Sequence, residues 1–362
     1  MIRNRTARVK VRYSRAVTDD MANRLRRDVD YLCSRECAGR EAGSAEGLAA
    51  RKFIVKQLNE AGWTPTIQPV PGCRGANVIA HKPGKGKTVL VAAHYDHIGR
   101  AMGDDAYWGA DDNAAAVAVV LELARRHDHA KDDHDLMLVA FDGEEPPHFL
   151  TDEMGSIRFT QQPPIPLEDI AVAIVLDLVG HSVGPPEAPS SVRDLLFVLG
   201  GEKAENLTKS VLAASFCFEG LTIRPLDLDI VPPLSDYEPF RRNGVPALFL
   251  TGGRWRHYHE LTDTPDKLDF RKIESTVEFV EQLARECTMP LGRYEPDARA
   301  WATSARTLHA VASELVDTCP QAQGIVTVLD RLIPTIQDGG SIGADEYSAL
   351  LTALMQLEEL IA

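Results

Sequence analysis

Imidazole and carboxylate side chains recur at the ends of apolar runs in this chain: Ala93-His94-Tyr95-Asp96-His97, Gly109-Ala110-Asp111-Asp112-Asn113, Phe141-Asp142-Gly143-Glu144-Glu145, Leu176-Asp177 and Tyr258-His259. Mixed nitrogen and oxygen donors at the mouth of a sheet suit zinc, which polarises carbonyl groups and activates water. His94 and Asp96 stand at i and i+2, positions that face the same way in an extended segment. Asp96 is therefore expected to accept the second ring N–H of His94 and fix its tautomer. The alternative is a strand-end histidine bonded only to its local surroundings.

An N-cap role accounts for one of the neighbouring acids Asp111 and Asp112. Two side by side repel unless a cation neutralises them, as a carboxylate shared between two ions would be. Glu144 and Glu145 raise the same question. One can ligate metal while the other takes a proton from attacking water; solvated glutamates beside Pro146-Pro147 are the plainer alternative. Asp177 ends the run Ile174-Val175-Leu176, where an unpartnered carboxylate would be costly. His257 and His259 are equal candidates on chemistry alone.

The elements that must position these groups are legible as alternating patterns. Val17 to Ala61 reads as helical, with Leu32, Leu48, Ala49, Phe53, Ile54 and Leu58 facing a core and Gly62 ending the second helix. Thr64 to Val70 and Asn77 to His81 read as early strands around a Pro71-Gly72 turn. Lys82 to Gly86 reads as a turn leading into the buried strand Thr88 to Ala93. Further strands are expected at Leu136–Phe141, Ala171–Leu178, Leu195–Leu199 and Val245–Leu250. Helices are expected at Ala114–Arg126, around Ile157–Phe159, at Lys203–Phe216 and at Lys267–Glu286. Strands alternating with helices predict an α/β fold, a mostly parallel mixed sheet sandwiched between helical layers. Residues 1–289 form this unit with its helical lead-in. Residues 290–362 form a helical C-terminal extension, with breaks at Pro320 and Gly339-Gly340, that could cover the sheet, form a homo-oligomer contact or act as a lid.

Composition narrows the partners. The 362 residues are 44% hydrophobic, enough for a large core. The formal net charge of -14 argues against nucleic acid or an anionic membrane as partner. No stretch has the length of a membrane span, and the basic N-terminus (Arg3, Arg5, Arg8, Lys10, Arg12, Arg15) lacks the apolar core of an export signal. Cys33, Cys37, Cys73, Cys217, Cys287 and Cys319 are scattered, as expected for thiols in a reducing cytoplasm. There is no Gly-x-Ser-x-Gly elbow, no phosphate loop at Gly200-Gly201 and no His-Glu-x-x-His helix.

Taken together, the motifs resemble the M28 family of zinc peptidases, the aminopeptidase and glutamate-carboxypeptidase-like group, over approximately Arg27 to Arg285. His94-Tyr95-Asp96 matches the family's first-ligand motif, and Gly109 to Asn113 its bridging-aspartate loop. The resemblance implies two zinc ions per chain, His94 and Asp177 on one, Glu145 and His259 on the other, with Asp112 rather than Asp111 shared. It makes Glu144 the general base, and His259, followed by Asp263-Thr264-Pro265-Asp266, the last ligand in preference to His257. Asp96 would orient His94, and Tyr258 would help hold the oxyanion unless it is only structural. Ser235-Asp236-Tyr237 resembles a family Ser-Asp-His segment, with tyrosine replacing histidine.

The implied activity is exopeptidase hydrolysis of a peptide or small amide by a zinc-bridging hydroxide, with no covalent intermediate. An aminopeptidase is the first reading, because an acid-rich mouth suits a substrate ammonium. A carboxypeptidase or dipeptidase would need a cationic clamp, for which Arg241, Arg242, Arg254 and Arg256 are candidates. A glutaminyl-cyclase-like acyltransferase, working with one zinc, and a non-catalytic scaffold are the remaining alternatives.

Overall fold

The computed structural model describes residues 15–102, 105–127, 134–215, 220–336 and 341–362. The basic residues Arg3 to Arg12, Phe216, Cys217 and the Gly339-Gly340 break lie outside the described residues. Eight strands form one sheet: β1 Thr66–Val70, β2 Gly75–Lys82, β3 Lys85–His94, β4 His134–Phe141, β5 Ile170–Leu176, β6 Leu195–Leu199, β7 Thr222–Leu226 and β8 Ala247–Thr251. Their spatial order is β1-β2-β4-β3-β5-β8-β6-β7. The β3–β4, β3–β5, β5–β8 and β6–β7 ladders are parallel and the other three antiparallel, so the sheet is mixed and mostly parallel.

The apolar runs divide by parity, as the two-residue period of a strand requires. Val89, Val91 and Ala93 of β3 enter one core cluster while Leu90 and Ala92 enter the other. The same split separates Leu136, Leu138 and Ala140 from Met137, Val139 and Phe141 on β4. Strands buried on both faces have no polar side to show, which is why they read as continuous hydrophobic stretches. The first face is covered by α1 Arg15–Leu32, α2 Ala45–Glu60, α3 Ala115–Arg126, α6 Leu207–Ser215 and α8 Phe270–Glu286. The second face carries α4 Gly155–Gln161, α5 Ser190–Arg193, α7 Tyr237–Arg242, α9 Trp301–Leu315, α10 Ala322–Leu332 and α11 Ala344–Ile361. The result is a three-layer α/β/α sandwich.

Several boundaries differ from the sequence reading. Strand β3 starts at Lys85 with an irregularity before Val89, so the turn shrinks to Pro83-Gly84. Residues Cys33 to Ser44 interrupt the expected helical lead-in with turns around Gly39 and Gly43. Strand β7 has no counterpart among the expected strands: it is a half-exposed edge strand containing Pro225, which a central strand would not tolerate. Helix α8 starts at Phe270, capped by Asp269 whose side chain accepts the Arg271 and Lys272 N–H groups, rather than at Lys267.

The C-terminal helices are continuous with the second core. Leu308, Val311, Leu329, Leu350 and Leu357 belong to the same cluster as β4 and β8 residues, and the Glu358 carboxylate pairs with Arg254 at 2.8 Å. Among the described residues no helix is long and apolar enough to cross a membrane. Leu308 is fully buried, so Leu308→Ala is expected to cost about 2–5 kcal/mol in urea unfolding. A loss below about 1 kcal/mol would mean that these helices are only loosely attached.

Candidate metal centre

The parallel ladders carry the ends of four strands to one edge of the sheet. His94 pairs with Phe141 and Leu176 with Leu250, so the exits of β3, β4, β5 and β8 stand level. Ligand sites in open α/β sheets collect at such carboxyl ends. Asp112 comes from the loop after β3, in a wide turn where the Ala115 N–H bonds the Ala110 carbonyl. This i→i+5 widening ahead of a helix is a pattern found at functional sites.

The side chains converge. His94 Nε2 lies 3.3 Å from Asp112 Oδ1, 3.6 Å from Asp177 Oδ1 and 3.8 Å from Glu144 Oε2. His259 Nε2 lies 3.2 Å from Asp112 Oδ2 and 3.1 Å from Glu145 Oε2. Asp112 therefore turns one oxygen to each group, as a bridging carboxylate does. Two donors each about 2.0–2.1 Å from a tetrahedral zinc stand roughly 3.3 Å apart, close to these separations. His94 Nε2, Asp112 Oδ2, Asp177 Oδ1 and His259 Nε2 are buried without hydrogen-bond partners. Orphaned atoms of this kind need an explanation, and a divalent cation in each group supplies one.

Without a cation, protons relieve the crowding. Burial opposes the His94 imidazolium, but the Glu144 and Asp177 carboxylates outweigh it and hold the pKa well above the usual value. Burial is likewise overcome at His259, where contacts with Asp112 and Glu145 push it up to about 10. Burial, reinforced by Glu145, Asp177 and Asp236 against the favourable charge of His94, raises Glu144 well above the carboxylate range. Burial raises Asp177, and it lifts Asp236 to about 7. Asp112 moves the other way: contacts with His259 and His94 overcome its burial and hold it well below the usual range.

The supporting residues correct parts of the sequence reading. The His94 Nδ1 hydrogen bond goes to the Asp96 backbone carbonyl at 3.3 Å, with the Asp96 carboxylate 3.7 Å away. That carboxylate instead accepts the N–H groups of Glu144 and Glu145, both at 3.2 Å. Strand β3 ends at His94, so Asp96 lies beyond the ladder to which the same-face rule applies. Asp111 has its own partners, His181 Nδ1 and the Gly180 N–H, which remove the need for a cation at that residue. Tyr258 stacks on His259 with ring centroids 3.9 Å apart, and His257 bonds Thr262 at 2.7 Å away from the ligand groups. His259 occupies the left-handed region at φ 57, a strained conformation for a residue with a Cβ.

Four residues of the site went unassigned from sequence. Arg40, fully buried, donates to the carbonyls of Tyr95 (2.8 Å), Trp108 (2.6 Å), Gly109 (2.6 Å), Asp112 (3.1 Å) and Leu32 (3.3 Å). Gly109, at φ 55, leaves room for it; a Cβ there would meet the Asp112 carbonyl at 2.2 Å and Arg40 Nη2 at 2.6 Å. Asp263 accepts the Asp111 N–H at 2.9 Å and the Asp112 N–H at 3.1 Å, and burial with the nearby Asp111 charge lifts it to about 8. His181 stacks on Trp255, and His97 reaches Glu145. Asp263 and His97 lie inside motifs already quoted, whereas nothing in the sequence singles out Arg40 or His181.

A carboxylate-rich, imidazole-bearing cluster thus stands at the strand exits of an α/β sandwich. The peptidase family M28 model matches residues 77–284, more than half of the chain, and the chain belongs to that family. It is 28% identical to the uncharacterized protein YfbL of Escherichia coli (strain K12) over 279 residues, 71% of this chain and 85% of that protein. It is 26% identical to glutaminyl-peptide cyclotransferase of Bos taurus over 287 residues, 68% of this chain and 78% of that one. Among solved structures, a zinc aminopeptidase from Bacillus subtilis superposes with a TM-score of 0.58 at 15% identity, over 75% of this chain and 98% of the other.

The proton-holding groups predict how the metal-free site responds to pH. Asp236, Asp263 and His259 bind protons more tightly folded than unfolded, with values of about 7, 8 and 10 against ordinary values of 3.8, 3.8 and 6.5. Each contributes stability below its unfolded pKa and loses it as pH rises through the folded one. Thermal melts of EDTA-treated protein should therefore decline from mildly acid pH up to about pH 10. Zinc should raise the melting temperature more at the alkaline end, where fewer protons compete. A pH-independent zinc increment would contradict this competition.

Proposed function

We propose that this chain is a zinc-dependent exopeptidase, with aminopeptidase activity the preferred reading. The observation that carries the metal reading is the division of Asp112, one oxygen toward His94 and Asp177 and the other toward Glu145 and His259. These residues would hold two zinc ions. Bound there, the ions supply Lewis acidity to the substrate carbonyl and acidify a water.

The chain's own groups handle the protons and the orientation. Glu144 is buried beside the cluster, and its backbone is fixed by Asp96. Its carboxylate takes the proton of the attacking water and passes it to the leaving amine nitrogen. Tyr258 stays protonated, its pKa pushed up by burial and then by the Asp112 and Glu145 charges, so its hydroxyl is suited to donate to the carbonyl oxygen as charge develops. Asp96, bonded to two amides, holds Glu144 and Glu145 in their relative positions.

Charge supports the aminopeptidase reading. Asp96, Asp112, Glu144, Glu145, Asp177 and Asp236 are all buried here. Six carboxylates against two dications with neutral imidazoles leave a formal charge of about -2, which favours a substrate ammonium. Three of the four arginines suited to clamp a terminal carboxylate are already taken. Arg241 and Arg242 bond Glu238 at 2.7 and 2.8 Å, and Arg254 bonds Glu358 at 2.8 Å. Arg256 is exposed and has no ion pair among the described residues. The bovine cyclotransferase relative supports a second reading, intramolecular acyl transfer with one zinc. A reducing cytoplasm suits the free cysteines found among the described residues.

Glu144→Gln should retain its zinc while kcat falls at least ~100-fold, the scale of lost acid–base catalysis. Zinc content by atomic absorption, together with turnover, checks both halves, and full activity in this variant would sink the assignment. N-acetylation of a dipeptide substrate should lower kcat/KM roughly 10- to 150-fold, from loss of about 1.5–3 kcal/mol of charged hydrogen bonding. Equal rates would point to the carboxypeptidase reading. Cyclisation of an N-terminal glutaminyl peptide at one zinc per chain would favour acyl transfer.

A further inference from the structure

Glu145 has two oxygens and only one of them faces His259. Oε2 lies 3.1 Å from His259 Nε2, whereas Oε1 lies 2.8 Å from His97 Nδ1. The separation of 2.8 Å is that of a hydrogen bond, shorter than the roughly 3.3 Å between co-ligands of one tetrahedral ion. A carboxylate can only accept, so His97 carries its hydrogen on Nδ1 and donates it to Oε1. His97 Nδ1 also stands 3.9 Å from Asp112 Oδ2, outside hydrogen-bonding reach.

The ring is built into place. The His97 side chain is fully buried, and its backbone N–H bonds the Arg40 carbonyl at 3.3 Å. Gly109 packs so closely that a Cβ there would come within 2.7 Å of His97 Cδ2. The His259 ring meets it edge-on, centroids 5.9 Å apart. His97 Nε2 is buried without a hydrogen-bond partner, so Nδ1 makes the ring's one polar contact with the cluster.

We infer that His97 is a positioning residue that ties up Oε1 of Glu145 and so presents only Oε2 to the ion shared with Asp112 and His259. The inference rests on the two-ion reading given above. A glutamate with both oxygens free can chelate one ion, filling a coordination position that water or substrate needs. A hydrogen bond to the non-ligating oxygen prevents that, and outer partners of this kind are worth about 10- to 100-fold in metal affinity.

The Asn and Gln replacements separate this role from packing. Asparagine places its amide N–H close to the position of Nδ1, and glutamine places it near Nε2, beyond reach of Oε1. Zinc affinity is measured by competition with a chromogenic chelator, and coordination number from the visible absorption of the cobalt-substituted protein. In His97→Ala and His97→Gln, one of the two zinc ions should bind about 10- to 100-fold more weakly. The cobalt bands at that site should weaken as coordination number rises. His97→Asn should restore affinity to within a few-fold of the parent. Unchanged zinc affinity in His97→Gln, or an Asn variant no better than Gln, overturns the proposal. Should His97→Ala fail to fold, the Asn and Gln pair still decides. Absence of zinc binding by the parent chain would instead refute the metal reading itself, whatever the variants do.

Discussion

More negative charge is buried at this sheet edge than the chain's own cations can neutralise, and much of the local architecture follows from that imbalance. Asp96, Asp112, Glu144, Glu145, Asp177 and Asp236 are all under one-tenth exposed. An isolated ionised carboxylate in a dry interior is costly enough to shift its pKa rather than stay charged. The folded chain alone answers with protons, on His94, His259 and Glu144. A divalent cation bound there would displace them, which would make metal uptake and proton release one equilibrium.

The sheet makes such crowding attainable. Parallel pairing from β4 through β3 and β5 to β8 aligns four strand exits on one edge. Only His94 is itself a strand residue; Asp112, Glu144, Glu145, Asp177 and His259 all stand on exits. The sheet fixes where the exits begin but not where their side chains end. That second task falls to groups that bind loop backbone: Asp96 on the amides of Glu144 and Glu145, Asn113 on the Leu176 carbonyl at 2.9 Å, Asp111 on the Gly180 amide.

This division explains what could be read from the chain itself. The strands leading to His94, Glu144 and Asp177 were legible because two-sided burial leaves uninterrupted apolar runs. The acids and imidazoles at those exits were legible by residue type, but only the family resemblance singled out Asp112 over Asp111 and His259 over His257. Arg40 was not, because its partners are carbonyl oxygens, which any residue supplies and no side-chain pattern reveals. The Asp96 carboxylate bonds elsewhere because it stands two residues past the end of β3, where rules of strand geometry no longer hold. Strand β7 was not legible because an edge position tolerates the Arg224 and Pro225 that disguise it.

Arg40 and Asp263 show why one turn needs a donor on one side and an acceptor on the other. Residues Gly109 to Asp112 cannot pair with the sheet, yet their buried backbone groups require partners. Asp263 takes the amides of Asp111 and Asp112, and Arg40 takes the carbonyls of Trp108, Gly109 and Asp112. A lysine, with three donors on a point charge, could not span five carbonyls as the planar guanidinium fork does. Neither residue bonds the Asp112 carboxylate. The turn is thereby satisfied entirely through its backbone, and Asp112 keeps both oxygens for the cluster. Pairing Arg40 directly with Asp112 would have balanced charge locally, but it would have occupied the very oxygens that face His94 and His259.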